Sequence, residues 1–94
     1  MSLIDELISK YQERLCKVEE ELKEVKEQLD KTRGEFNLVS KAQEQAESAA
    51  NFKKYILIPL EEELDELQEQ YKELTAEAQA LRELVHYLEI QRSL

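Results

Sequence analysis

His86 is the only histidine in the chain, and Glu83 and Glu89 stand three residues to either side of it. An imidazole between carboxylates is raw material for a metal site or an acid–base pair. A zinc-type ion, however, needs three or four strong ligands held in defined geometry. Nothing else near His86 supplies them, so it reads as a surface side chain. Cys16 is the only cysteine. Its neighbours Lys17, Glu19 and Glu20 do not form the electropositive setting that generates a thiolate, and no histidine is placed to activate it. It reads as a free surface thiol. The acidic runs Glu19-Glu20-Glu21 and Glu61-Glu62-Glu63 could attract divalent cations. Catalytic carboxylates need a concave, water-excluding site, and these runs read instead as a solvated face. No glycine-rich phosphate loop, cysteine pair or nucleophile elbow occurs. No catalytic, cofactor-binding or metal site is expected, and the chain does not read as an enzyme.

The elements that carry these residues follow from a seven-residue apolar repeat in one phase from Ile4 to Arg92. Of its 26 core positions 22 are apolar, against 17 of the other 68 residues. The first core position of each heptad, a, holds Ile8, Leu15, Leu22, Leu29, Phe36, Gln43, Ala50, Leu57, Leu64, Tyr71, Ala78, Val85 and Arg92. The second, d, holds Ile4, Tyr11, Val18, Val25, Thr32, Val39, Ala46, Lys53, Leu60, Leu67, Leu74, Leu81 and Leu88. A period of 3.5 residues makes a narrow seam that a neighbouring helix must cover. The expected fold class is all-α: a long coiled coil with one near-continuous helix per chain.

Composition agrees. Charged residues make up 37% of the chain and aromatics 6%, with one Gly, one Pro and no Trp. That is the profile of a long helix rather than a globule. The net charge of −9 argues against nucleic acid, whose phosphates need clustered Lys and Arg, and against anionic membrane surfaces. No apolar run approaches the ~20 residues of a membrane span. A single cysteine and no signal-peptide pattern fit a cytoplasmic or otherwise intracellular setting. Both ends fall within the repeat, so residues 1–94 read as one coiled-coil segment of a longer protein.

Ser2 followed by Asp5 resembles a capped helix start. The seam weakens over 42–59. Gln43 and Lys53 are polar core sites, and alanines stand at 42, 46, 49 and 50. Pro59 lacks a backbone donor and disfavours helical geometry at Ile58. Continuity of the repeat on either side favours a kink near Pro59 over a loop. Phe52, Tyr55, Ile56 and Ile58 lie off the seam, and an exposed apolar patch of this kind marks a partner site or a further self-association surface. Leu3 and Leu7 near the start, and Leu84, Tyr87 and Ile90 near the end, widen the apolar stripe in a way that suits bundles.

The polar core sites bear on orientation. In a parallel pair Lys53 would face Lys53. In an antiparallel register with residue i opposite residue 96 − i, every a site faces a d site. Gln43 then meets Lys53, Ala46 meets Ala50 and Leu15 meets Leu81. The flanks pair Glu19 with Arg82, Arg14 with Glu77 and Glu47 with Lys54. Such matching specifies one register against others. The expected assembly is an antiparallel homodimer, with a tetramer as the alternative. Its interface would be built on Ile8, Leu15, Val18, Leu22, Val25, Leu29, Phe36, Leu60, Leu64, Leu67, Tyr71, Leu74, Leu81, Val85 and Leu88. A hairpin within one chain satisfies the same register with its turn near Ser48, but 47–51 holds no Gly or Pro and reads as a poor turn.

The pattern resembles the broad class of coiled-coil rods found in cytoskeletal, centrosomal, tethering and chromosome-arm proteins. The expected function is a structural and oligomerisation module that joins chains and spaces what flanks them. The alternative is an adaptor that recruits another protein through Phe52, Tyr55, Ile56 and Ile58.

Overall fold

The computed structural model describes residues 2–94 and is helical almost throughout. Helix α1 spans Leu3–Ala42 and passes into a short 3-10 turn, Gln43–Gln45. Helix α2 spans Ala49–Phe52, a π-helical turn spans Lys53–Leu57, and α3 spans Ile58–Ser93. Contacts divide the chain into two compact units, so α1 and α3 each contribute to both. One unit combines the chain up to Glu24 with Lys72–Leu94; the other is Val25–Tyr71.

In the first unit the start of α1 lies antiparallel to the end of α3. Ser2 caps α1: its hydroxyl accepts from the Asp5 amide at 3.2 Å and donates to the Asp5 carboxylate at 2.8 Å. The capping residue thus satisfies an amide left unpaired by the first helical turn. The core holds Ile8 and Val18 from α1 and Leu74, Ala78, Leu81, Val85 and Leu88 from α3. Flanking polar pairs mark the register. Arg14 lies 3.0 Å from Glu77, and Arg82 lies 3.5 Å from Glu19. Gln12 donates to Glu89 at 3.2 Å, and Arg92 lies 3.6 Å from Asp5. The first two are flanking pairs expected of the antiparallel register. These pairs are exposed and contribute about 0–1 kcal/mol each, so they report the register more than they stabilise it.

The second unit is a helical hairpin. Its core is Val25, Leu29, Thr32, Leu57 and Leu60. No described residue between Thr32 and Leu57 is buried. Over 42–56 this follows the expected weak stretch of the repeat, whereas Phe36 and Val39, core positions ahead of it, are only half-buried. Small and polar side chains remove little apolar surface from water.

The structure departs from the expected continuous helix. The break lies at Ala46–Ser48, not at Pro59. Ala46 has φ −75° and ψ 142°, and Ser48 has φ −125° and ψ 105°. Both are extended, and no residue among those described has positive φ. A turn built this way has no need of glycine, which is why the lack of Gly misled the sequence reading. Ser48 then starts the return helix, its hydroxyl accepting from the Asn51 amide at 3.2 Å. Gln43, read as a core partner of Lys53, instead donates across the turn to the Ala49 carbonyl at 3.2 Å. Glu47 stands in the turn and forms no ion pair with Lys54.

The second departure concerns phase. Ala50 and Lys53, assigned to the seam, are exposed, whereas Phe52 is half-buried. Leu57 is buried five residues later. A five-residue step matches one wide π turn, in which Ile58 donates to the Lys53 carbonyl. The repeat is therefore displaced by one residue before Leu57, and the π turn absorbs the difference. Pro59 supplies a local cause. It has no amide to give to Tyr55, and in a tight α-turn its ring would crowd that carbonyl. Widening the preceding turn relieves the crowding, so α3 runs through Pro59 without ending.

Candidate functional site

Every buried residue among those described occupies a core position of the heptad. Of the fifteen residues assigned to an interface, Ile8, Val18, Val25, Leu29, Leu60, Leu74, Leu81, Val85 and Leu88 are buried within the single chain. The other six, Leu15, Leu22, Phe36, Leu64, Leu67 and Tyr71, are half-buried. The seam is thus covered, in each unit, by the chain's own antiparallel helix. Surface left for another molecule lies on the outer faces.

The residues that could do chemistry lie on different helices. Cys16 and His86 are both exposed, Cys16 on α1 and His86 on α3. Among the described residues no three His, Cys, Asp or Glu side chains converge on one point. In the second unit a shallow groove is lined by Lys26, Leu29, Asp30 and Arg33 from α1 and by Gln68 and Tyr71 from α3. It is an open furrow beside the seam, with side chains of both charges on its rim. No described helix is long and apolar enough to cross a membrane.

The outer apolar residues offer more. Around the π turn Tyr55 is 66% exposed, Ile56 45% and Ile58 39%. Phe52, grouped with them in the sequence, does not share their exposure; it turns partly inward because of the one-residue slip. The π turn therefore sorts the four residues, directing Phe52 toward the core beside the seam residue Leu57 and leaving Tyr55, Ile56 and Ile58 exposed. The Lys54 ammonium lies 5.2 Å from the centroid of the Tyr55 ring. A cation at this distance is attracted by the ring face, so charge and apolar surface form one feature. Beyond the patch Glu61, Glu62 and Glu63 are exposed.

Near the chain ends the widened stripe is only partly real. Leu7 and Leu84 are half-buried, but Leu3, Tyr87 and Ile90 are exposed. Leu38 on α1 is also exposed, and the sequence reading missed it. Its place in the heptad, two residues after Phe36 and away from both core positions, was the available signal.

No family model, curated protein or solved structure matches the chain.

Proposed function

We propose that this protein is a non-catalytic structural module in which an antiparallel helix pair covers its own seam and uses its outer faces for association with protein. The observation that carries this reading is the division of apolar side chains. The long heptad seam is consumed within the chain, while Tyr55, Ile56 and Ile58 stay in water beside the π turn. These side chains leave much of their apolar surface in water, and a cluster of that kind suits a protein partner. The negative charge of the chain fits a protein surface as partner better than a polyphosphate. In this reading the module joins and spaces the elements attached to it.

The seam assignment is tested with the native thiol. Spin labels on Cys16 and on a cysteine introduced by Ala80→Cys should lie within about 25 Å, because helices packed side by side have axes only ~8–10 Å apart. The measurement is made with labelled protein diluted into an excess of unlabelled chain. A short distance that survives dilution places both labels in one molecule. Its disappearance would show that a second chain covers the seam, and the reading would fail.

A further inference from the structure

The exposed surface of the return helix around the π turn has a symmetry of charge that its own chain does not use. In order it presents Lys53 and Lys54, then Tyr55, Ile56 and Ile58, then Glu61, Glu62 and Glu63, all exposed. Leu57 and Leu60, between them, are buried in the seam. Ile58 and Glu62 stand four residues apart on α3 and share one helical face, and Tyr55, on the wide turn, flanks it. Lys54 precedes Ile58 by the four residues that, in a wide turn, bring it to that same face. Ile58 therefore stands midway between a cation and a carboxylate, each four residues away along α3 and the π turn. Among the described residues, none of Lys53, Lys54, Glu61, Glu62 and Glu63 takes part in an ion pair.

We infer that this face binds a second copy of the same chain, antiparallel, about a two-fold axis that passes beside Ile58. Such an axis places Ile58 against Ile58 of the other copy. It brings Lys54 opposite Glu62 and Glu62 opposite Lys54, so one pattern satisfies both sides. An isologous contact requires this self-complementarity. A parallel pairing of the same faces would oppose lysine to lysine and glutamate to glutamate. A heterologous partner would need the reversed charge order built around its own apolar centre; a second copy has it by symmetry. The exposed flank of Tyr55, with Lys54 over its ring, then borders the Ile58 contact and keeps water from its edge. The inference rests on the association-module reading above and names its partner.

The contact is small. Two turns of helix bury well under the ~1,000 Å² of a stable interface, so the association is weak, with a dissociation constant on the order of 0.1 mM. That suits a module whose copies are brought together by what they are attached to.

Charge exchange tests the pairing. Sedimentation equilibrium of the full chain from about 10 µM to about 1 mM should show a monomer–dimer equilibrium in the range expected for so small a patch. Lys54→Glu makes both flanks of Ile58 acidic, and Glu62→Lys makes both basic. Each variant alone should associate at least about tenfold more weakly, the direction expected when like charges face each other. An equimolar mixture of the two should recover association, as should the double variant in one chain. Circular dichroism of each variant should show unchanged helix, since both positions are exposed. A wild-type chain that stays monomeric throughout this range would overturn the inference. So would single variants that associate like wild type, or a mixture no stronger than its components. Binding of an unrelated protein to the patch of a strictly monomeric chain overturns it in favour of an adaptor. The label distance between positions 16 and 80 separates the two levels of failure. If it stays short under dilution while no dimer forms, the internal helix pair stands and only the proposed partner is wrong.

Discussion

Leu29 and Lys53 show how a single position acquires its meaning from its surroundings. Both occupy core positions in the heptad. Leu29 is 4% exposed and lies between α1 and the return helix. Lys53 is exposed, because the slip before Leu57 has moved Phe52 into the place the repeat gave to lysine. Replacing Leu29 with Ala removes buried methyl groups and leaves a void that a two-layer core fills only in part. A loss of about 2–3 kcal/mol follows, toward the lower end for a leucine in a protein interior. Lys53→Ala should stay within about 0.5 kcal/mol of wild type, as exposed substitutions do. Urea unfolding of the two variants at equal concentration measures both. If Lys53→Ala gave a large gain, lysine would be sitting in the core and the phase shift would be wrong. Thr32 makes the complementary point: a polar residue at a core position, 2% exposed. Among the described residues no buried side-chain polar atom lacks a partner, so its burial carries no unmet hydrogen bond.

At the scale of the element, the π turn is an insertion made visible. Phe52 and Leu57 both face inward but stand five residues apart, one more than an α-turn allows. Removing one residue between them should convert the π turn into α-helix and leave the seam in phase. Deletion of Lys53, combined with Pro59→Ala to restore the missing amide, should therefore keep cooperative thermal unfolding, with a midpoint within about 8 °C of wild type, the equivalent of roughly 1–2 kcal/mol. Deletion of Lys72, inside regular α3, has no wide turn to absorb it. It rotates every later core residue by about 100° and should abolish the cooperative transition. Circular dichroism melts of both deletions decide the matter. The same comparison shows why some of the fold was legible in the sequence and some was not. Outside 43–56 the period alone identified the core residues, and the matching of a with d sites gave the register seen in Arg14–Glu77 and Glu19–Arg82. The turn was missed because Ala46 and Ser48 make it with ordinary extended torsions, which no residue type announces. The slip was missed because Lys53 and Phe52 are adjacent, and a fixed period cannot show a one-residue shift where the seam is already weak. The outer patch was legible in Tyr55, Ile56 and Ile58 as departures from the period, and Phe52 was grouped with them for the same reason.

For the whole molecule, the relevant balance is between a seam closed within one chain and a surplus of negative charge. The chain carries 22 acidic and 13 basic residues. Its flanking ion pairs are exposed, with side chains such as those of Arg14 and Arg82 more than half accessible. Each of those attractions is small and weakened by salt. The repulsion among nine uncompensated charges is spread over the surface and acts against folding. Raising sodium chloride from about 0.01 M to about 1 M shortens the screening length from ~30 Å to ~3 Å and removes most of both terms. Repulsion is the larger one, because the surplus charges outnumber the pairs, so the melting temperature should rise with salt. A gain of about 1 kcal/mol corresponds to roughly 4–8 °C for a chain of this size. Protein concentration should have no such effect when the outer patch is disabled by Lys54→Glu. A seam covered by its own chain has no mass-action term, whereas a seam shared between chains gains stability with every increase in concentration. A melting temperature that climbs with concentration in that variant would mean that the two helices of each unit belong to different molecules. A fall with salt would mean that the ion pairs, not the apolar seam, dominate the stability.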